Sequence, residues 1–124
     1  TGWEYYPSAL ERGVRAAAAL APVTPVFVTE NGIATGDDRR RIDYTTASLE
    51  GVAAAIADGV EVLGYLHWSA LDNFEWASGF GPTFGLIAVD RTTFVRTPKP
   101  SLWWLGRVAR ANALVSREGP DLQA

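Results

Sequence analysis

The order of apolar and amphipathic segments is the feature that most restricts the fold of this chain. A short apolar run at residues 26–28 is followed by an amphipathic segment and then by a second apolar run at residues 60–68. Continuous apolar runs of this length are typical of parallel strands that are covered on both faces. Because a strand, a helix and a parallel strand form a right-handed βαβ unit, the pattern predicts an α/β fold.

Helices are predicted before, between and after these strands. The first spans residues 8–20, since Pro7 suits a first helical turn and apolar residues then recur at spacings of three and four. Asp43 is predicted to cap the second helix and Ser101 the third. The polar stretch 35–41, which contains three consecutive arginines, is interpreted as a solvated loop.

A long loop at residues 69–85 and a hairpin pairing residues 86–89 with 94–96 complete the predicted elements. The loop contains Trp, Phe, Asp and Glu, whereas loops are generally polar and free of large aromatic residues, which indicates a functional loop. Asn31, Asp72 and Asn73 are predicted to shape turns through side-chain to backbone hydrogen bonds. With no repeat or linker, residues 1–124 are predicted to form one structural unit.

Composition excludes several classes of function. The chain has no cysteine and a single histidine, His67, so a zinc site is excluded and neither a metal nor another cofactor is expected. A net charge of −3 without a basic stripe argues against nucleic acid, and no apolar run approaches the roughly 18 residues of a membrane span. The first residues lack the pattern of a secretory signal, so a cytoplasmic location is expected.

Chemically useful side chains follow both strands. Glu30 ends the first strand, Trp68 ends the second, and the loop beyond it carries Glu75 and Trp76. Active sites of (β/α)8 barrels lie at the carboxyl ends of the strands. Taken singly, these residues more often represent a solvated strand end, a salt-bridge partner and core aromatics. His67, next to Trp68, is predicted to point to the opposite face, toward the helices.

Two motifs in this order carry a family resemblance. Residues 28–32, V-T-E-N-G, resemble the T-E-N-G nucleophile motif of glycoside hydrolase family 1, which contains the β-glucosidases. Residues 64–76 are similar to that family's G-Y-x-x-W-S-x-x-D-N-x-E-W segment at every fixed position. Flanking segments at 3–10 and 84–101 match in the expected order, so the resemblance covers essentially residues 2–115.

The resemblance implies a role for each of five residues. Glu30 would be the nucleophile of a retaining hydrolase that acts on a β-glucoside or a related oligosaccharide. Trp68 would line the sugar pocket, Glu75 would accept hydrogen bonds from the hydroxyls at C4 and C6, Trp76 would donate its indole N–H near C3, and Phe84 would add an apolar wall. In the family the peptide bond after the residue matching Trp68 is cis, and the same is expected here.

The family's second catalytic carboxylate has no counterpart in this chain. Its acid/base glutamate lies in a T-x-N-E-P motif on the fourth strand, which is absent here, whereas the two strands present correspond to the seventh and eighth. A barrel of this class typically needs about 250 residues. We therefore expect the chain to be the C-terminal part of a (β/α)8 barrel, inactive alone and completed by a missing N-terminal part.

Two alternatives remain open on the sequence. One is a non-catalytic carbohydrate-binding or interaction remnant of such a barrel, which would use Trp68, Glu75 and Trp76 only to hold a sugar. The other is a degenerate product without function, which would neither bind sugar nor unfold cooperatively.

Overall fold

The computed structural model describes residues 2–117 and has the predicted α/β order. Its helices are α1 (Ser8–Leu20), α2 (Asp38–Ala57) and α3 (Pro100–Ala111), and its strands are β1 (Val26–Asn31), β2 (Val62–His67), β3 (Ile87–Val89) and β4 (Arg96–Pro98). β1 and β2 are parallel, and β3 and β4 form an antiparallel hairpin. The described part of the chain is therefore a small, incomplete α/β unit built on one βαβ crossover.

The two-stranded parallel sheet is covered on one face only. Val28 of β1 is buried in a core cluster with Val14 of α1 and Ala55 of α2. On the opposite face, Phe27 and Leu66 are 47% and 53% exposed. Parallel sheets are normally buried on both faces. Within the described residues no layer covers this second face, which is called the open face below.

The start of α2 differs from the prediction. The carboxylate of Asp37 accepts the backbone N–H groups of Arg39 and Arg40 at 3.0 and 3.4 Å, so Asp37 is the N-cap and the helix begins at the next residue. Asp43, the predicted cap, lies inside the helix on an exposed position. The prediction of a loop at residues 35–41 is therefore wrong for its last four residues.

Arg41 is 1% exposed, contrary to its interpretation as part of a solvated loop. Its guanidinium pairs with Asp38 and donates to the carbonyls of Thr35 and Thr83, both at 2.6 Å. Asp38 also accepts the backbone N–H and the hydroxyl of Ser101 at 2.7 and 2.8 Å. Ser101 thus lies within α3 instead of capping it, and one buried network joins the starts of two helices to the loop before β3.

The hairpin forms with a shifted second strand. The carboxylate of Asp90 accepts the backbone N–H groups of Thr92 and Thr93 at 2.9 and 2.6 Å, which extends the turn. Phe94 then adopts a left-handed φ of 58°, which is incompatible with a strand, so β4 begins two residues later than predicted.

His67 faces the helices, as predicted. It borders a cavity of about 590 Å³ between β2, α2 and α3. Burial lowers the pKa of its imidazole to about 4, and the positive charge of Arg41 adds to this effect. His67 is therefore neutral near pH 7.

We expect Arg41→Ala to lower the free energy of unfolding by about 3 kcal/mol, since Asp38 and two carbonyl groups would lose a buried partner. Urea unfolding followed by tryptophan fluorescence measures this. The matched control is Arg39→Ala on the exposed side of the same helix, with an expected change below about 0.5 kcal/mol. Equal effects of the two substitutions would contradict the buried network.

We expect His67 to make the free energy of unfolding decrease as the pH is lowered. Its folded-state pKa of about 4 lies below the unfolded value of 6.5, so between these pH values the unfolded chain binds the extra proton and unfolding is favoured as pH drops. The loss reaches up to about 3 kcal/mol by pH 4. As this is the only histidine, the difference in unfolding free energy between the wild type and His67→Gln isolates it. A difference that is independent of pH would refute the assignment.

Candidate active site

A cleft of about 520 Å³ opens at the carboxyl ends of β1 and β2. All five residues to which the sequence assigned a site role line it. The full lining is Trp3, Glu30, Asn31, Gly32, Tyr44, Trp68, Glu75, Trp76 and Phe84. The structure therefore brings together residues that are up to 81 positions apart, from Trp3 to Phe84.

Parallel pairing places the ends of the two strands side by side. Asn31 pairs with His67, and the carbonyl of Asn31 accepts the backbone N–H of Trp68 at 2.9 Å. Glu30 and Trp68 are thereby held at the same edge of the sheet. A Cβ atom on Gly32 would lie 1.9 Å from the carbonyl oxygen of Trp68, so the close approach of the two chains requires glycine at this position.

The chain leaves β2 through a cis peptide bond between Trp68 and Ser69, as expected. The backbone N–H of Ser69 then donates to the carbonyl of Phe84 at 3.4 Å, and its carbonyl accepts from Leu86 at 3.0 Å. These contacts bring Phe84 to the wall of the cleft. Its side chain is 3% exposed, and its ring lies 5.9 Å from that of Trp3, between centroids.

An ion pair supports the loop beneath the cleft. The carboxylate of Asp72 accepts the backbone N–H of Gly85 at 2.8 Å and pairs with Lys99 at 2.9 Å, while Lys99 donates to the carbonyl of Gly85 at 2.8 Å. A Cβ atom on Gly85 would lie 2.2 Å from the Asp72 nitrogen, so the two segments are in direct contact. Asp72 thus bonds to the backbone as predicted, but to Gly85, 13 residues away, instead of within a turn. The prediction for Asn73 is wrong, since its side-chain amide donates to the hydroxyl of Ser69 at 3.3 Å.

A short 3-10 turn, Trp76–Ser78, presents Glu75 and Trp76 to the cleft. The N–H of Glu75 donates to the carbonyl of Gly79 at 2.7 Å, and its carbonyl accepts from Ser78 at 2.8 Å, which closes the turn. Trp76 has a left-handed φ of 44° and is 82% exposed. Strained backbone of this kind clusters at functional sites, and here it turns an indole outward at the rim of the cleft.

The cleft combines groups suited to binding and attacking a polar ring. Glu30 and Glu75 supply carboxylates, and Trp68 and Trp76 supply flat apolar faces with N–H donors. The larger cavity of about 590 Å³ between the helices has no carboxylate in its lining. Within residues 2–117 no three metal-ligating side chains converge, and no helix has the length and hydropathy needed to cross a bilayer.

Two cleft residues, Trp3 and Tyr44, had no predicted role. Trp3 lies before α1 and is 70% exposed, and Tyr44 lies on α2, so neither follows a strand. The only signal in the sequence is their aromatic character, which core residues share. Asn31 was predicted to shape a turn, but it is the last residue of β1.

Known proteins resemble this chain along nearly its whole length. The model of "Glycosyl hydrolase family 1" matches residues 1–114. A 1,4-beta-D-glucan glucohydrolase of Thermotoga neapolitana is 39% identical over 122 residues, covering 91% of this chain and 28% of the relative. A beta-galactosidase of Pyrococcus woesei is 39% identical over 117 residues, covering 94% of this chain and 22% of the relative.

A solved structure shares the same arrangement. The beta-glucosidase from Thermotoga maritima in complex with glucoimidazole superposes with a TM-score of 0.87 at 37% identity, over 91% of this chain and 28% of that chain. The chain thus spans less than a third of the length of each relative described here. The family match to residues 1–114 confirms the resemblance inferred from the two motifs, and the chain belongs to glycosyl hydrolase family 1.

Proposed function

We propose that this chain is the C-terminal portion of a (β/α)8 barrel whose complete form is a retaining β-glycosidase. β1 and β2 would be the seventh and eighth strands, and the open face of their sheet would be covered by the rest of the barrel. The half-exposed Phe27 and Leu66 on that face support this, as does the coverage of only 28% of the Thermotoga glucohydrolase. In this proposal, residues 1–124 form part of one domain, not a domain of their own.

Glu30 is the proposed nucleophile. Its carboxylate attacks the anomeric carbon, the bond from that carbon to the leaving oxygen breaks, and the leaving oxygen takes a proton from a second carboxyl group. Water then attacks the same carbon, gives its proton back to the second carboxylate and releases Glu30, so configuration is retained. The second carboxyl group would come from the remainder of the barrel. The observation that carries the proposal is that Glu30 lines a cleft beside Trp68 and Trp76.

The other four predicted site residues would hold the sugar ring. Glu75 binds two hydroxyl groups through charge-assisted hydrogen bonds, and Trp68 and Trp76 contact the ring faces while Trp76 also donates its N–H. Phe84 forms an apolar wall. Since the relatives include a glucan glucohydrolase and a beta-galactosidase, the proposed substrates are terminal β-linked hexosides as a class.

Replacing Glu30 by Ala in the complete barrel should lower kcat for an aryl β-glucoside by more than about 10³-fold, because the glycosyl-enzyme can no longer form. Added azide should restore turnover by attacking from the vacated side, and the product should be the α-glycosyl azide. Glu61→Ala, at an exposed glutamate next to β2, is the matched control and should keep full activity. Near-normal activity of Glu30→Ala would refute the nucleophile.

Measurements on the wild-type complete barrel test the non-catalytic alternative. If the wild-type complete barrel binds glucose saturably, by the change in tryptophan fluorescence, yet hydrolyses no aryl β-glycoside, the cleft is a carbohydrate-binding remnant. Absence of both binding and a cooperative unfolding transition would instead indicate a product without function.

Glu75→Ala should lower kcat/KM for an aryl β-glucoside by about 10²-fold, since two charge-assisted hydrogen bonds are lost. The loss should be much smaller for the 6-deoxy analogue, because that substrate already lacks one of the two hydroxyl groups. Comparing both substrates in both enzymes measures the coupling between the carboxylate and the hydroxyl. Equal losses for the two substrates would show that Glu75 does not bind at C6.

A further inference from the structure

The position of Glu30 in the lining of the cleft conflicts with the regular alternation of side chains along a strand. Successive side chains of a strand point to opposite faces, so Glu30 would be expected on the same face as Val28. Val28 is buried against the helices. Glu30 nevertheless lines the cleft with Trp68, whose neighbour His67 is the residue that faces the helices.

An irregularity in the strand ladder resolves this conflict. Val28 pairs with Tyr65, and Asn31 pairs with His67, so three steps along β1 match two steps along β2. One extra residue in a strand is a β-bulge, which shifts the alternation and redirects a side chain. Because of this extra residue, Asn31 lies on the same face of the sheet as Val28, and Glu30 lies on the side of the cleft.

The bulge is held from the helical side of the sheet. The hydroxyl of Tyr65 lies 3.1 Å from the Oδ1 atom of Asn31, 3.2 Å from its carbonyl oxygen and 3.3 Å from Nδ1 of His67. The Oδ1 atom of Asn31 is the nearest of these acceptors, and the Asn31 carbonyl, which has two lone pairs, also accepts the N–H of Trp68. Burial raises the pKa of Tyr65, so the hydroxyl remains a proton donor at neutral pH.

A second site next to Glu30 could accommodate its carboxylate. Besides the cleft, it borders a groove of about 260 Å³ between β1 and α1. A strand that lost its bulge would regain regular alternation and turn the carboxylate away from Trp68. An interaction that fixes the bulge therefore decides where the carboxylate lies.

Resting on the function proposed above, we propose that Asn31 and Tyr65 are positioning residues for Glu30. Their hydrogen bond on the helical side of the sheet fixes the bulge at Thr29 and Glu30 that turns the carboxylate into the cleft. Neither residue takes part in bond making, and Tyr65 acts without touching the sugar.

Tyr65→Phe in the complete barrel tests this inference. A misplacement of a reacting group by about 1 Å costs up to about 10²-fold in rate, so kcat/KM for a dinitrophenyl β-glucoside should fall 10- to 100-fold. This leaving group departs without a proton, and kcat/KM covers only the steps up to its departure, so kcat/KM reports attack by Glu30. The Kd of a competitive, sugar-shaped inhibitor should stay within about threefold, because Trp68 and Glu75 remain in place. The amplitude of the burst counts the active sites and corrects kcat/KM for any misfolded enzyme.

Two further variants separate positioning from a general structural effect. Asn31→Ala should lower kcat/KM as Tyr65→Phe does, and the double variant should be no slower than either single variant, since both remove the same hydrogen bond. Tyr6→Phe removes a hydroxyl from a tyrosine outside the cleft, whose ring lies against Arg12, and should leave kcat/KM unchanged.

The outcomes distinguish this inference from the proposed function. If Glu30→Ala abolishes turnover while Tyr65→Phe keeps kcat/KM within twofold, the nucleophile stands and the positioning role is overturned. Losses that multiply in the double variant would also overturn it. If Glu30→Ala is active, the proposed function fails, and the positioning role fails with it.

Discussion

Every feature of the cleft depends on the parallel pairing of β1 with β2. The hydrogen bond from the Trp68 N–H to the Asn31 carbonyl aligns the ends of the two strands, and Gly32 lets them approach closely. Neither strand alone would bring a carboxylate next to an indole. Because both strands end at the same edge, residues that are distant along the chain converge there, as in other α/β folds.

Buried polar interactions hold the helices and loops in place around the aligned ends of the strands. Arg41 and Asp38 join the starts of α2 and α3 to the segment before Phe84, and the pair of Asp72 with Lys99 holds the loop to the backbone of Gly85. Because these charged groups are removed from water, each must find its hydrogen-bond partners among the others or in the nearby backbone. On the open face of the sheet, by contrast, apolar side chains have no packing partner within the described residues. The proposed barrel would enclose this face.

The sequence predicted the α/β order, the parallel strands, α1 and the five clustered site residues, because apolar runs and motif spacing report on local structure and on family. It did not predict the start of α2 or the burial of Arg41. Asp37 and Asp43 are both acceptable caps in isolation. Only tertiary contacts of the first helical turn, from Arg41 to Thr83 and from Ser101 to Asp38, select between them. The bulge before Asn31 was also missed, since it depends on hydrogen bonds to another strand.

The most direct test of the account is to identify the residue that carries the sugar in the covalent intermediate. The complete barrel would be treated with an activated 2-deoxy-2-fluoro-β-glucoside, whose fluorine slows hydrolysis of the glycosyl-enzyme, then digested and analysed by mass spectrometry. The account predicts one ester-linked sugar on Glu30. A sugar attached to Glu75 or to any other residue, or turnover without a covalent intermediate, would contradict it.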